Sequence, residues 1–168
     1  MSLPTADKSM MTNERTSSEP SEQNTGPHQV PMSQWISCAP FEQLLHMHIQ
    51  EASDGKAVLT MPFLYDFAQG KGLLHGGALL SLADTAVVMA IKSILPPSTH
   101  FATISMESKF LYPVKQGFVT ARATVTQRED RILHGQATVY NAEGKPVMEF
   151  SSVFKIARDQ KKSASTES

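Results

Sequence analysis

Residues 69–95 read QGKGLLHGGALLSLADTAVVMAIKSIL. From Ala78 to Leu95 the only exceptions to an apolar run are Ser81, Asp84, Thr85, Lys92 and Ser93. A helix that is apolar almost all the way round has to be buried, so this stretch predicts the central element of the core. Its start is rich in glycine (Gly70, Gly72, Gly76, Gly77) and carries His75, and an acid stands near its middle. A core element is thus expected to carry chemistry as well.

The flanking sequence reads as strands. Before the helix, Met47, Ile49 and Glu51 alternate with His46, His48 and Gln50, and Ala57, Leu59 and Met61 alternate with Val58 and Thr60, about the turn pair Asp54-Gly55. This is a hairpin signal. Upstream, Ala39-Pro40 followed by FEQLLHM predicts a short helix with Phe41, Leu44 and Leu45 on one side. Beyond the helix, which Pro96-Pro97 should stop, four period-two runs follow. Ile104, Met106, Phe110 and Tyr112 share one face of the first run, and Val119, Ala121, Ala123 and Val125 one face of the second. Leu133, Ala137 and Val139 mark the third, and Met148, Phe150, Phe154 and Ile156 the fourth. Strands joined by short turns build an antiparallel sheet, and a sheet with one apolar face needs a cover. The expected fold is α+β, a curved antiparallel sheet wrapped around a long central helix.

A chain of 168 residues, 40% hydrophobic and 18% charged, suits one domain with tails. Residues 1–34 and 159–168 are polar and are read as tails, the first disordered or loosely docked, with the domain over 35–158. A formal net charge of −1 offers no basic excess for a phosphate backbone, so nucleic acid is not an expected partner. The single cysteine, Cys38, permits no intrachain disulfide and is read as a small packing residue. The start of the chain has no apolar run of signal-peptide type, and Asp84 would cost roughly 2.5–3.5 kcal/mol at the centre of a bilayer span. The expectation is a cytoplasmic protein with no membrane partner. His46 and His48 share one side of a strand, but no third ligand accompanies them, so no metal is expected.

Two glycines at a helix start let another group approach the backbone, and the first-turn N–H groups carry partial positive charge. They suit a polarised carbonyl or an oxyanion, or else simply close helix–strand packing. Asp84 is costly to bury unless it is partnered, which marks it as functional, or as a structural acid that caps a neighbouring loop or pairs with a basic residue across an interface. From Gly76 to Asp84 is eight residues, about 12 Å along a helix. A reacting carbon must lie about 3–3.5 Å from its attacking group, so the two cannot serve one carbonyl from one chain. If both are catalytic, the site is shared between two subunits. His75 is read as a helix-entry residue that ties down a loop through a ring N–H rather than as a general base.

The pattern Gly72-x-x-His75-Gly76-Gly77, then Leu82-Ala83-Asp84-Thr85-Ala86, then Phe110-Leu111-Tyr112-Pro113-Val114 before Gly117, resembles the hotdog-fold thioesterases over roughly residues 40–157. The resemblance is to the phenylacetate-pathway-type and 4-hydroxybenzoyl-CoA-type branch. It implies an acyl-CoA thioesterase that releases a carboxylic acid and free CoA without a bound cofactor, as a homodimer that assembles further to a homotetramer. The Gly76 amide would polarise the thioester carbonyl, and Asp84 of the partner subunit would be nucleophile or general base. Gln69 stands where relatives place a group that would orient water or the acyl carbonyl, and Thr103 where they often place a Ser or Thr hydroxyl near the reacting centre. His75, Gly77, Arg131 and Lys109 would be substrate contacts, Arg131, Lys109 and Lys115 serving the CoA phosphates. This chain pairs Gln69 with Asp84, where relatives with Gln often have Glu, and Val88 replaces a hydroxyl. A non-catalytic acyl-CoA-binding module and a 3-hydroxyacyl thioester dehydratase are the alternative readings.

Overall fold

The computed structural model describes residues 25–158. The tail segments 1–24 and 159–168 lie outside the described residues, and 25–34 form no helix or strand. In chain order come helix α1 (Pro40–Leu44), strands β1 (His48–Ser53) and β2 (Lys56–Pro62), and a 3-10 turn at Tyr65–Phe67. Helix α2 (Gly76–Lys92) follows, then β3 (Phe101–Phe110), β4 (Phe118–Glu129), β5 (Ile132–Tyr140) and β6 (Pro146–Ile156). The six strands form one antiparallel sheet in the order β1-β2-β4-β5-β6-β3. The sheet wraps α2, which is the hotdog arrangement.

The hairpin forms where the sequence places it. Asp54 (φ 50°) and Gly55 (φ 75°) adopt the left-handed pair that a two-residue turn needs, and Ser53 pairs with Lys56. Alternation then sets the core. Leu59, Met61, Val119, Ala121, Leu133, Val139, Met148 and Phe154 are fully buried on the concave face. Against them α2 buries Leu82, Ala83, Ala86, Val87, Ala90 and Ile91. Each large aliphatic side chain so placed contributes about 1.5–3 kcal/mol. Gly135 on β5 lets α2 come this close, because a Cβ there would sit 2.2 Å from Val87 Cγ1.

Two local expectations are corrected, on α1 and at His46. Helix α2 runs to Lys92, and Leu95 N–H still donates to Ile91 O (3.1 Å), so the helical ladder stops at Pro96, which has no N–H to give the Lys92 carbonyl. Trp35 Nε1 donates to the Lys92 carbonyl (2.9 Å), and Ser93 Oγ donates to Ala90 O (2.6 Å) while accepting from Gly55 N–H (2.9 Å). On α1 only the C-cap Leu45 is buried; Phe41 and Leu44 are exposed, since the helix is too short to seat all three. His46 precedes β1 in a left-handed conformation (φ 52°), so it does not share a strand face with His48.

Strand β3 is the sheet edge, and a bulge between Thr103 and Ser105 shifts its face. Thr103, Met106, Ser108 and Phe110 pair with Phe154, Ser152, Phe150 and Met148 of β6 and so point to the helix side. Helix α2 packs mainly on β4, β2 and β5 and leaves β3 uncovered. Met106 and Phe110 are 45% and 53% exposed as a result, and Ile104, within the bulge, is 56% exposed.

Candidate active site

The start of α2 is built by His75. Its carbonyl accepts from Ala78 N–H (3.0 Å) and Leu79 N–H (3.3 Å), and its Nδ1 accepts from Gly77 N–H (2.9 Å). The imidazole thus caps the helix through an accepting nitrogen rather than a donated N–H. Gly77 permits this, since a Cβ there would lie 2.9 Å from the same Nδ1. With these donors used, the Gly76 N–H is the first-turn donor that no described residue accepts. Phe110 covers it from the side, and a Cβ at Gly76 would meet that ring at 3.2 Å. Gly77 thus makes room for the cap, Gly76 lets the Phe110 ring of β3 approach the helix, and the Gly76 N–H is left as a donor.

That amide opens into a cleft of ≈ 360 Å³ lined by Gln69, Leu73, Phe110, Tyr112 and Pro113 among others. The loop before the helix is pinned by Gln69 N–H to Leu73 O (2.8 Å), Gly72 N–H to Gln69 O (2.8 Å) and His75 N–H to Phe67 O (2.8 Å). Gln69 Oε1 accepts from Lys71 N–H. One lone pair of Oε1 is thereby used, and the amide NH₂ remains as the donor Gln69 can offer to the cleft.

Asp84 lies on the stripe of α2 that the sheet does not cover, with Leu80, Ser81 and Val88, all half-buried. Thr103 Oγ1 donates to Asp84 Oδ1 (3.2 Å). Burial pushes the Asp84 carboxyl above its ordinary value; the Thr103 hydrogen bond opposes that rise and the Glu42 carboxylate of α1 adds to it. Glu42 was not legible as a site residue. It is placed there by its hold on Ala39 N–H (2.7 Å), which fixes α1.

The structure therefore gathers Gln69 with Gly76, His75 and Gly77, and Asp84 with Thr103, as two groups on one rod about 12 Å apart. It does not bring Lys109 or Arg131 to either. Lys109 pairs with Glu149 on the convex face, in a groove with Glu107, Gln136 and Thr138. Arg131 sits in the β4–β5 turn, where its Nη1 donates to Ile156 O (3.2 Å) and its Nε lies 3.9 Å from Asp130. Lys115 lines a separate surface cavity with Asn141 and Glu143.

Sheet, helix and the two groups on that helix define a hotdog-fold protein. Residues 71–148 match the family model described as the thioesterase superfamily. Among curated relatives, a Pasteurella multocida protein provisionally named an esterase is 38% identical over 81 residues, 47% of this chain and 58% of that one. A Halobacterium salinarum protein, named in the same provisional way, is 34% identical over 88 residues, 49% of this chain and 58% of that one. The match thus spans under two thirds of either relative. A conserved Pseudomonas aeruginosa protein shares the fold at TM-score 0.70 and 24% identity, covering 76% of this chain and all of that one. The Escherichia coli PaaI protein from the phenylacetic acid degradation operon aligns at TM-score 0.65 and 27% identity, over 70% of this chain and 84% of that one. A Haemophilus influenzae thioesterase aligns at 0.66 and 25%, over 70% and 82%.

Proposed function

We propose that this chain is a thioester hydrolase acting on acyl-CoA, at a site completed by a second copy. The observation that carries this reading is the Asp84–Thr103 pair, a half-buried carboxylate on the uncovered stripe of the helix whose free amide opens at Gly76. The geometry of β3 supports the second copy. Its free edge and its exposed Ile104, Met106 and Phe110 suit an antiparallel strand from another molecule. Thr103 and Phe110 both point to the helix side, one beside Asp84 and the other against Gly76. Pairing two β3 strands so that Thr103 opposes Phe110 brings each Asp84 to the other copy's Gly76, and two-fold symmetry makes two sites.

In such a site the Gly76 N–H, at the positive end of α2, holds the thioester oxygen, and the Gln69 NH₂ supplies a second donor. With Oδ1 held by Thr103, Asp84 Oδ2 takes a proton from water as the water oxygen bonds to the carbonyl carbon. The raised affinity of Asp84 for a proton makes it the stronger base. The C–S bond then breaks, CoA leaves as thiolate and recovers a proton, and the acyl group leaves as a carboxylic acid. Thiol release from a panel of acyl-CoAs tests the reading. Turnover supports it; binding without turnover favours the non-catalytic module, and an enoyl thioester product favours the dehydratase.

A further inference from the structure

The cleft at Gly76 continues outward along Leu111, Tyr112 and Pro113. Backbone bonds from Leu111 N–H (2.8 Å) and Tyr112 N–H (3.3 Å) to Val147 O lay this segment against the start of β6. Lys145, two residues before Val147, is thereby set beside it. Its Nζ stands 3.3 Å from the centroid of the half-exposed Tyr112 ring. The backbone of Lys145 is held as firmly as its side chain. Asn141 Oδ1 accepts from Lys145 N–H (2.8 Å) and Glu143 N–H (3.2 Å), and Asn141 N–H donates to Lys145 O (3.0 Å).

A lysine held by a ring face differs from one held by a carboxylate. Cation–π contact fixes the position of the ammonium without neutralising it, so its N–H donors remain available to an anion. Among the described residues no carboxylate lies within ion-pair distance of Lys145. The adjoining cavity also holds a lysine, Lys115, together with Asn141 and Glu143.

Resting on the acyl-CoA reading above, we infer that Lys145, seated on Tyr112 and pinned by Asn141, anchors a phosphate of the nucleotide end of CoA as the thiol end enters the Gly76 cleft. This replaces Arg131, Lys109 and Lys115 as the expected phosphate contacts. Asn141 and Tyr112 are positioning residues that act through Lys145.

The test is calorimetric binding of free CoA, 3′-dephospho-CoA and pantetheine to the full chain, which needs no turnover. Wild type should bind CoA more tightly than pantetheine. Lys145→Ala should weaken CoA roughly tenfold and leave pantetheine unchanged, with the difference shrinking as salt is raised. Lys145→Arg should retain most of the affinity, Lys115→Ala should change it little, and Asn141→Ala should weaken CoA while sparing pantetheine. Loss of the Lys145→Ala effect with 3′-dephospho-CoA identifies the 3′-phosphate as the anchored group; a persisting effect identifies the pyrophosphate. Equal CoA affinity in wild type and Lys145→Ala, or CoA bound no more tightly than pantetheine by wild type, overturns the assignment. Hydrolysis of an acyl-pantetheine thioester separately reports the catalytic reading, so the two can fail independently.

Discussion

Because α2 carries both halves of the proposed site, its seating on the sheet is a functional quantity, and Gly135→Ala perturbs it directly. The new Cβ would lie 2.2 Å from Val87 Cγ1, about 1.5 Å short of a normal carbon contact. Val87 is fully buried, and a β-branched side chain in a helix has essentially one rotamer, so the helix itself has to move. Overpacking of this kind costs about 1–3 kcal/mol. Val87→Ala alone should cost roughly 1.6 kcal/mol for two lost carbons, plus a term for the cavity. Combined, the alanine methyl at 135 occupies the space vacated at 87. The double variant should then be more stable than the sum of the singles predicts by about 1–2 kcal/mol. Urea unfolding followed by circular dichroism measures all three. Asp84 stands one turn before Val87, so Gly135→Ala should also move it off Thr103 and lower thioester turnover by roughly 10–100-fold, with recovery in the double variant. Stabilities additive within about 0.5 kcal/mol would refute the argument that this contact sets the helix position.

Asp84→Asn should lower kcat by about 10²–10⁴-fold with KM little changed, measured by thiol release. The same variant should melt at a higher temperature than wild type near neutral pH. The folded-state affinity of Asp84 for a proton is raised, so its ionisation costs stability as pH climbs from the unfolded-state value through the folded one. The gain should vanish in acid, where the carboxyl is protonated folded or unfolded. Turnover should fall as Asp84 protonates, on an acid limb above the ordinary carboxylate range. Thr103→Val should move that limb to higher pH and Glu42→Gln to lower pH, and a limb unmoved by both would detach it from Asp84. Ser152 Oγ, buried beside Gly135 and Met106, finds no partner among the described residues, so Ser152→Ala should stabilise the protein by about 1 kcal/mol in urea unfolding. A loss of stability would mean that the hydroxyl is hydrogen-bonded in the assembled protein.

What the sequence displayed was whatever depends on short-range pattern. The Asp54-Gly55 turn, the alternation in β2, β4, β5 and β6, and the apolar run of α2 all follow from periodicity and turn chemistry. The separation of Gly76 from Asp84 followed from helical rise alone. What stayed hidden depends on contacts distant in the chain. The bulge at Thr103–Ser105 moves Met106 and Phe110 into step with Thr103, and only pairing with β6 creates it. The Lys92 carbonyl, which Pro96 leaves without a helical donor, is taken by Trp35, 57 residues away. Gly135 looked like a gap in the β5 pattern until Val87 stood opposite it. Lysines close in sequence to the signature, such as Lys109, face away from it because strand parity, not proximity, decides the side.

The central claim is a site shared by two copies, and complementation tests it most directly. Gly76→Pro removes the amide N–H at the first helical position, where proline is well tolerated, and His75 before it already has the extended backbone (ψ 132°) that a proline requires. Gly76→Ala controls for crowding against Phe110 while keeping the N–H. Asp84→Asn and Gly76→Pro chains should each be nearly inactive alone. Co-expressed in equal amounts, they should give thioester hydrolysis at about a quarter of the wild-type specific activity, because half of the dimers are mixed and each mixed dimer holds one intact site. Activity no greater than the sum of the two parents, from mixed dimers shown to have formed, would contradict the shared site.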